Sequence, residues 1–438
     1  MSARGMGQQG ARRTEQQAAP RLAPTSAAVS APTFMHGGDV FGPEGGPDGN
    51  GLLDFSSNIN PLGMPLAAQR ALVASPADFA RYPDPACRAL CAALAEKWGV
   101  PAQWIVCTAG AGDLISRAVF ARAAECTRGP ESPHAAKSTC TSKTSGRPLK
   151  ALVTAPCFSG YEKALYLAGA DVRRYLLSAD ANFDVDAGFA AWVSGRDIVI
   201  VCSPNNPTGR VVARTKLEAL ARAAQAAGAL LMVDESFLAF TDEPSCVSLC
   251  ADFPNLLVVR AFTKFHALAG VRLGYGVCSD ENLVDRLNLW GLDWAVSSPA
   301  QAAGLAVLSD PHAGRYAQET RQLVGEERAY LTLALEDLGF RVVPSAANYL
   351  LFQDCAYDTR QSCEAGPQSD AELSRGNADP SRDLFAKLKE EGVLVRSCAD
   401  YHGLDASWYR IAVRAHADNV RLVGALRRVL EGGCADVC

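Results

Sequence analysis

"DIVIVCSPNNPTGRVVARTKLEALARAAQAAGALLMVDESF", residues 197–237, decides the fold. It opens and closes on short apolar runs, the β-branched "DIVIVCS" (197–203) and "ALLMVDE" (229–235), each ending on polar residues. Their length and bounding suit strands rather than helices. Between them "RTKLEALARAAQAAG" (214–228) spaces Leu and Ala for one helical face and stops at a glycine, as helices do. Strands that are apolar throughout, separated by a helix, are the mark of a parallel sheet buried on both faces.

Working outward, "ALVTA" (151–155) and "NLLVVRAF" (255–262) read as further buried strands, and "PACRALCAALAEKWG" (85–99) as another amphipathic helix. The fold class is therefore α/β, with a large, mostly parallel sheet covered by helices over 85–330. After about residue 330 the pattern changes. "ERAYLTLALEDLG", "FRVVPSAANYLLFQ", "RDLFAKLKEEG", "VLVRSC", "YRIAVR" and "NVRLVGALRRVLEGG" predict helix, strand, helix, strand, strand, helix. This is a smaller α+β domain over 331–438, joined by an N-terminal arm over 34–84. Residues 1–33 are polar and Ala/Pro/Gln-rich and read as a disordered extension. An organelle-targeting segment is the alternative there, and Met35 an alternative start. The Gly/Pro/Ser-rich stretches 125–148 and 355–383 read as surface insertions, tolerated because lengthening a loop costs little.

The 438 residues are 48% hydrophobic and 20% charged, an ordinary globular composition. A net charge of -5 leaves no electrostatic footprint for nucleic acid or an anionic membrane, so the expected partners are small molecules or other chains. No run reaches the roughly 18 apolar residues of a membrane span, and a cytoplasmic location is expected. The 15 cysteines contain no C-x-x-C pair. They read as small buried hydrophobes in a reducing compartment, and no metal site is expected.

Open α/β sheets bind ligands beyond the carboxyl ends of their strands, so the polar residues there matter most. Asp234 follows an apolar run that makes a free carboxylate costly unless a cation meets it. Asn206 sits in "SPNNPTGR", where an Asn-Pro-Thr-Gly turn fixes the angle of its amide. "RAFTKFHALAGVRLGYG" (260–276) sets Lys264 among apolar residues, which lowers an amine's pKa toward the nucleophilic range, with Arg272 eight residues on.

In this order and context, these residues resemble the fold-type I pyridoxal-phosphate enzymes, within them the class I/II aminotransferase group. The resemblance implies pyridoxal 5'-phosphate as cofactor, with Lys264 as its Schiff-base lysine, Asn206 on its phenolic oxygen and Asp234 on its pyridine nitrogen. It places Arg272, Thr263 and the start of "TAGAGDLISRAVFARA" (108–123), at Gly110, Ala111 and Gly112, around the phosphate. A cation and the backbone N–H groups of a helix start suit that dianion. Phe158 of "PCFSGYEKAL" would stack on the ring. Tyr82 of "RYPDP" would reach the phosphate in a neighbouring subunit, implying a homodimer with shared active sites.

"MHGGDV", "LLDFSSNINPLG", "RYPDP" and "VRSCADYHGLDASWYRIAVR" are most similar to the branch of this group that decarboxylates L-threonine O-3-phosphate in cobalamin biosynthesis. The branch that transaminates histidinol phosphate is its nearest cousin and the alternative. The resemblance assigns the phosphorylated amino acid to His36, Gly37, Asn58, Asn206, Arg396 and Arg410, with Arg414 as an ion pair or a support. Three departures stand out. Phe237 replaces a tyrosine common in the aminotransferases, Ala261 replaces a hydroxyl residue that binds the phosphate, and "TAGAG" stands where relatives commonly have an Asn-Gly pair.

Overall fold

The structure, a computed structural model, describes residues 37–38, 40, 51–74, 80–128, 146–356 and 383–432. The extension over 1–33, His36 and most of the two insertions lie outside the described residues.

The chain begins with β1 (Leu53–Asp54), α1 (Leu66–Ala74), α2 (Arg88–Trp98), β2 (Ile105–Thr108) and α3 (Ala111–Arg128). There follow β3 (Lys150–Ala155), α4 (Ser159–Leu167), β4 (Asp171–Leu176), β5 (Ile198–Cys202), α5 (Arg214–Ala227), β6 (Leu230–Asp234), β7 (Leu256–Ala261) and β8 (Gly274–Val277). α6 (Glu281–Leu289), α7 (Ser298–Leu308) and the long α8 (Ala313–Asp337) lead to β9 (Arg341–Val342) and β10 (Tyr349–Gln353). α9 (Leu384–Glu390), β11 (Val393–Leu394), β12 (Arg396–Ser397), β13 (Trp408–Ala412) and α10 (His416–Gly432) complete it.

Seven strands form the large sheet in the order β2-β8-β7-β6-β5-β3-β4. Only β8 runs against its neighbours. The unbroken apolar runs are explained by burial on both faces: along β5, Val199 and Val201 join one core while Ile198 and Ile200 join the other. The first core takes in α2 and α5, and the second takes in α3 and α4.

A second sheet, β12-β13-β10-β9, is antiparallel and packs with Leu388 of α9, Leu422 of α10 and Leu331 of α8. The N-terminal segment is tied to this part of the chain. β1 pairs in parallel with β11, and Phe55 both donates to the Leu394 carbonyl and accepts from the Ala412 N–H.

Two expectations need correction. α8 starts at Ala313, so the change of pattern near 330 falls inside one helix. This helix breaks the apolar pattern by burying polar Thr320 and Glu327, which are satisfied by Asn60 and by His416 and Asn419. Residues 125–128 belong to α3 rather than to an insertion. The described cysteines are free thiols, buried except for Cys107, Cys126 and Cys355. Among the described residues no helix is long and apolar enough to cross a membrane, and no His/Cys/Asp/Glu group could hold a metal.

Candidate active site

The carboxyl ends of the central strands and the second sheet enclose a cavity of about 470 Å³. Asn206, Asp234, Thr263, Lys264 and Arg272 line it from the large sheet. Gly37 and Asn58 enter from the N-terminal segment, Arg396 and Arg410 from β12 and β13. Ala111, Gly112 and Phe158 close the side formed by the starts of α3 and α4.

Lys264 lies just past the end of β7 in a loop clamped from two sides. Asn60 donates from its backbone to the Lys264 carbonyl (3.1 Å) and from its amide to the Phe265 carbonyl (2.7 Å). The Tyr316 hydroxyl of α8 donates to the same Phe265 carbonyl (2.9 Å). Burial, reinforced by the charges of Arg410 and Arg272, lowers the Lys264 pKa to about 8. A neutral fraction of the amine of about a tenth is therefore available at pH 7, where an ordinary lysine has almost none.

Asp234 ends β6 and is 4% exposed. Burial pushes its carboxyl up, opposed by hydrogen bonds from Ser236 and Tyr161. The Ser236 N–H (2.9 Å) and hydroxyl (2.5 Å) donate to Oδ1, and the Tyr161 hydroxyl (2.6 Å) to Oδ2. A carboxylate with three donors, facing a cavity that also holds a lysine and arginines, is set to accept a cationic N–H.

Asn206 accepts from Arg410 Nη1 through Oδ1 (2.6 Å), and its amide nitrogen has no partner among the described residues. Arg410 Nη2 donates to the Ser56 carbonyl (2.6 Å). Arg396 is held by Asp400 (2.7 Å) and the Ser397 carbonyl, its guanidinium 5.0 Å from the Tyr401 ring centroid. Asn58 is 3% exposed and its Oδ1 lacks a partner, an acceptor left for whatever fills the cavity.

At the start of α3, Gly110 adopts φ +97, and a Cβ there would lie 3.1 Å from the Arg272 guanidinium. Gly112, by contrast, has open space around it, so close backbone approach does not require its glycine. The glycine that does is Gly274 on β8, where a Cβ would sit 2.7 Å from the Ala111 nitrogen. Arg272, Thr263 and the N–H groups opening α3 thus form a basic cradle suited to an anion.

Tyr82 is not brought to this cavity. It is 79% exposed and stacked on Trp294, ring centroids 4.4 Å apart. Ala261 ends β7 and lines a separate cavity with Arg260 and His266. Phe237 is buried edge-on against Tyr349, its ring centroid 6.0 Å from Lys264 Nζ, and offers no hydroxyl. Arg414 pairs with Asp418 (2.9 Å) and donates to the Asp54 carbonyl, bracing the N-terminal segment. Sequence reasoning overlooked Tyr161, Ser236 and Asn60. The signal for Tyr161 was its place one helical turn after Phe158.

A helix-covered, mostly parallel sheet with a strand-end lysine and carboxylate facing one cavity, flanked by a smaller sheet, is the architecture of the fold-type I pyridoxal-phosphate enzymes. The family model described as aminotransferase class I and II matches residues 50–429. The chain belongs to that family, whose members depend on pyridoxal phosphate. It is 35% identical over 384 residues to the threonine-phosphate decarboxylase of Salmonella typhimurium, covering 87% of this chain and 92% of that one. It is 32% identical over 383 residues to the histidinol-phosphate aminotransferase of Symbiobacterium thermophilum, covering 87% and 91%. A solved histidinol-phosphate aminotransferase from Sinorhizobium meliloti, in complex with pyridoxal-5'-phosphate, has the same fold. Its TM-score is 0.67 at 20% identity, over 86% of this chain and 90% of that one.

The cavity fits that cofactor on its own terms. It offers a lysine of lowered pKa, a carboxylate for the ring nitrogen, an amide N–H₂ on Asn206 and a cationic cradle at a helix start.

Proposed function

We propose that this protein decarboxylates L-threonine O-3-phosphate to (R)-1-amino-2-propanol O-2-phosphate and carbon dioxide. The observation that carries the reading is the pair of buried arginines, Arg396 and Arg410, opposite one another on β12 and β13 and both opening onto the cavity that holds Lys264. A substrate with both a phosphate and a carboxylate needs two such cations, and the planar guanidinium grips either group bidentately.

Pyridoxal phosphate, when bound, withdraws electrons from the substrate carbon that bears the amine. This chain's residues would do the rest. Lys264, Asp234 and Asn206 would hold the cofactor's reactive carbon, ring nitrogen and phenolic oxygen, and Arg272, Thr263, Gly110, Ala111 and Gly112 would take its phosphate, with Phe158 against the ring. Arg396, Arg410, Asn58, Gly37 and His36 would hold the substrate in one orientation, so that the bond to its carboxylate is the one that breaks, catalysis by orientation. Lys264 Nζ, with a pKa near 8, is suited to return a proton to the carbon that has lost its carboxylate. Phe237 removes a hydroxyl that would compete for the cofactor oxygen.

The active unit is proposed to be a homodimer. Tyr82 and Trp294 form an exposed aromatic stack, and Leu289 and Leu292, close by in sequence, are 80% and 84% exposed. Such apolar surface suits a second copy, with Tyr82 offered to its cofactor phosphate.

The second reading, transamination of histidinol phosphate, is favoured by the comparable match to those aminotransferases. Carbon dioxide release from L-threonine O-3-phosphate without any keto acid is the expected result. Turnover that appears only with 2-oxoglutarate, with no gas released, replaces the first reading by the second.

A further inference from the structure

Asp234 is buried at the cavity wall, and both of its oxygens are held by protein donors. Ser236 saturates Oδ1 with two donors from its own turn. Oδ2 is held from another element, by the hydroxyl of Tyr161 on the first turn of α4 at 2.6 Å. We propose that Tyr161 is a positioning residue that keeps the Asp234 carboxylate ionised and turned so that its remaining lone pair meets the cofactor's ring nitrogen. The proposal rests on the reading that Asp234 faces that nitrogen.

The geometry excludes a casual contact. The two groups are 73 residues apart in sequence and meet at the wall of the cavity, which both line, with the Tyr161 ring set in the second core. The Tyr161 ring is fixed edge-on against Phe158, centroids 5.5 Å apart at 87°, so packing aims the hydroxyl. Burial and the neighbouring Asp234 charge keep the phenol protonated, so Tyr161 acts only as a donor toward the carboxylate. The other charged or titratable groups acting on Asp234 are Arg260, Lys264, Cys202 and Tyr349, whose phenol burial keeps protonated. The Cys202 thiol is itself pushed up by burial and stays neutral. With desolvation pressing Asp234 toward its neutral form, each hydrogen bond to the anion matters, since a bond to a charged group contributes about 1.5–3 kcal/mol.

Tyr161→Phe keeps the ring and removes the donor. In the holoenzyme, the cofactor dissociation constant should rise about 10- to 100-fold, the equivalent of that hydrogen bond. The pH midpoint of the cofactor's visible absorption band should also move upward, because a ring nitrogen carrying less positive charge leaves the lysine–cofactor linkage holding its proton longer. Both effects should vanish when Tyr161→Phe is made in an Asp234→Asn background, where there is no carboxylate left to hold. A purely structural tyrosine would alter melting equally in both backgrounds and leave the midpoint unmoved. Wild-type affinity and midpoint in Tyr161→Phe, or an equal effect in both backgrounds, overturn the proposal. An Asp234→Asn protein with unchanged cofactor affinity and spectrum overturns the underlying reading of Asp234 instead, which separates the two failures.

Discussion

Arg396 and Arg410 are direct cross-strand partners, paired Cα to Cα between β12 and β13. Like charges directly opposite on a sheet repel, and both side chains are only 5% exposed. Each is restrained by its own partners, Arg396 by Asp400, Arg410 by Asn206 and the Ser56 carbonyl. Two such cations at one wall of the cavity suit a ligand bearing two negative groups.

Replacing either arginine by methionine should therefore separate binding from folding. Arg396→Met is expected to raise KM for the phosphorylated substrate about 10- to 100-fold, the loss of one charge-assisted contact, with only a modest fall in melting temperature, because the Asp400 it leaves unpaired is partly exposed to solvent. Arg410→Met should be worse in kcat as well, because it also frees the Asn206 amide. Steady-state kinetics beside thermal melts check both. Unchanged KM in Arg396→Met removes the two-cation reading.

Lys264 should make the cofactor-free protein sensitive to alkaline pH. Its pKa is about 8 in the fold against an ordinary 10.5, so between those values the unfolded chain binds more protons. Stability then rises with pH across that window, and below about 8 the whole cost of the buried ammonium is felt. Lys264→Met should stabilise the cofactor-free protein at pH 7 by about 1–3 kcal/mol and flatten this pH dependence, while abolishing the visible cofactor band. Urea unfolding at pH 7 and pH 10 measures it.

Gly274→Ala should weaken cofactor retention by displacing the helix start proposed to hold the phosphate. Its Cβ would meet the Ala111 nitrogen and the Gly110 carbonyl carbon, both at 2.7 Å, forcing the helix start away from β8. Overpacking of this kind costs about 1–3 kcal/mol. Gly314→Ala on α8, outside the cavity and with nothing within 4 Å of the added carbon, is the control and should bind the cofactor normally. Equilibrium dialysis of the two variants makes the comparison.

These residues also show what the chain discloses by itself. Asn206, Asp234, Lys264 and Arg272 were legible because each ends an apolar run or a turn, and the structure brings all four to one cavity. β4 and β8 were not. β4 is an edge strand with half-exposed residues and two arginines, and β8 is four residues long with two glycines, so neither carries an apolar signature. Tyr161 and Asn60 act across 73 and 205 residues of sequence, and contacts of that range exist only once the sheets are assembled.

A last prediction concerns the residue beside Asp234. Glu235 is buried with Arg260, their side chains 1% and 12% exposed and 2.5 Å apart, and the Ser245 hydroxyl and Cys246 N–H also donate to the carboxylate. Neither lines the main cavity, and Arg260 lies 4.7 Å from the Trp98 ring centroid. Glu235→Gln would leave the guanidinium enclosed without its counter-charge, which typically costs about 3–5 kcal/mol. Arg260→Met should cost less, because Ser245 and Cys246 still satisfy the carboxylate. The double change Glu235→Leu with Arg260→Met should recover much of the loss, since replacing a buried pair with apolar groups removes the desolvation cost together with the attraction. KM should be unaffected in every folded variant. Chemical denaturation of the three proteins measures the differences, and additive effects would show that the two residues do not work as a pair.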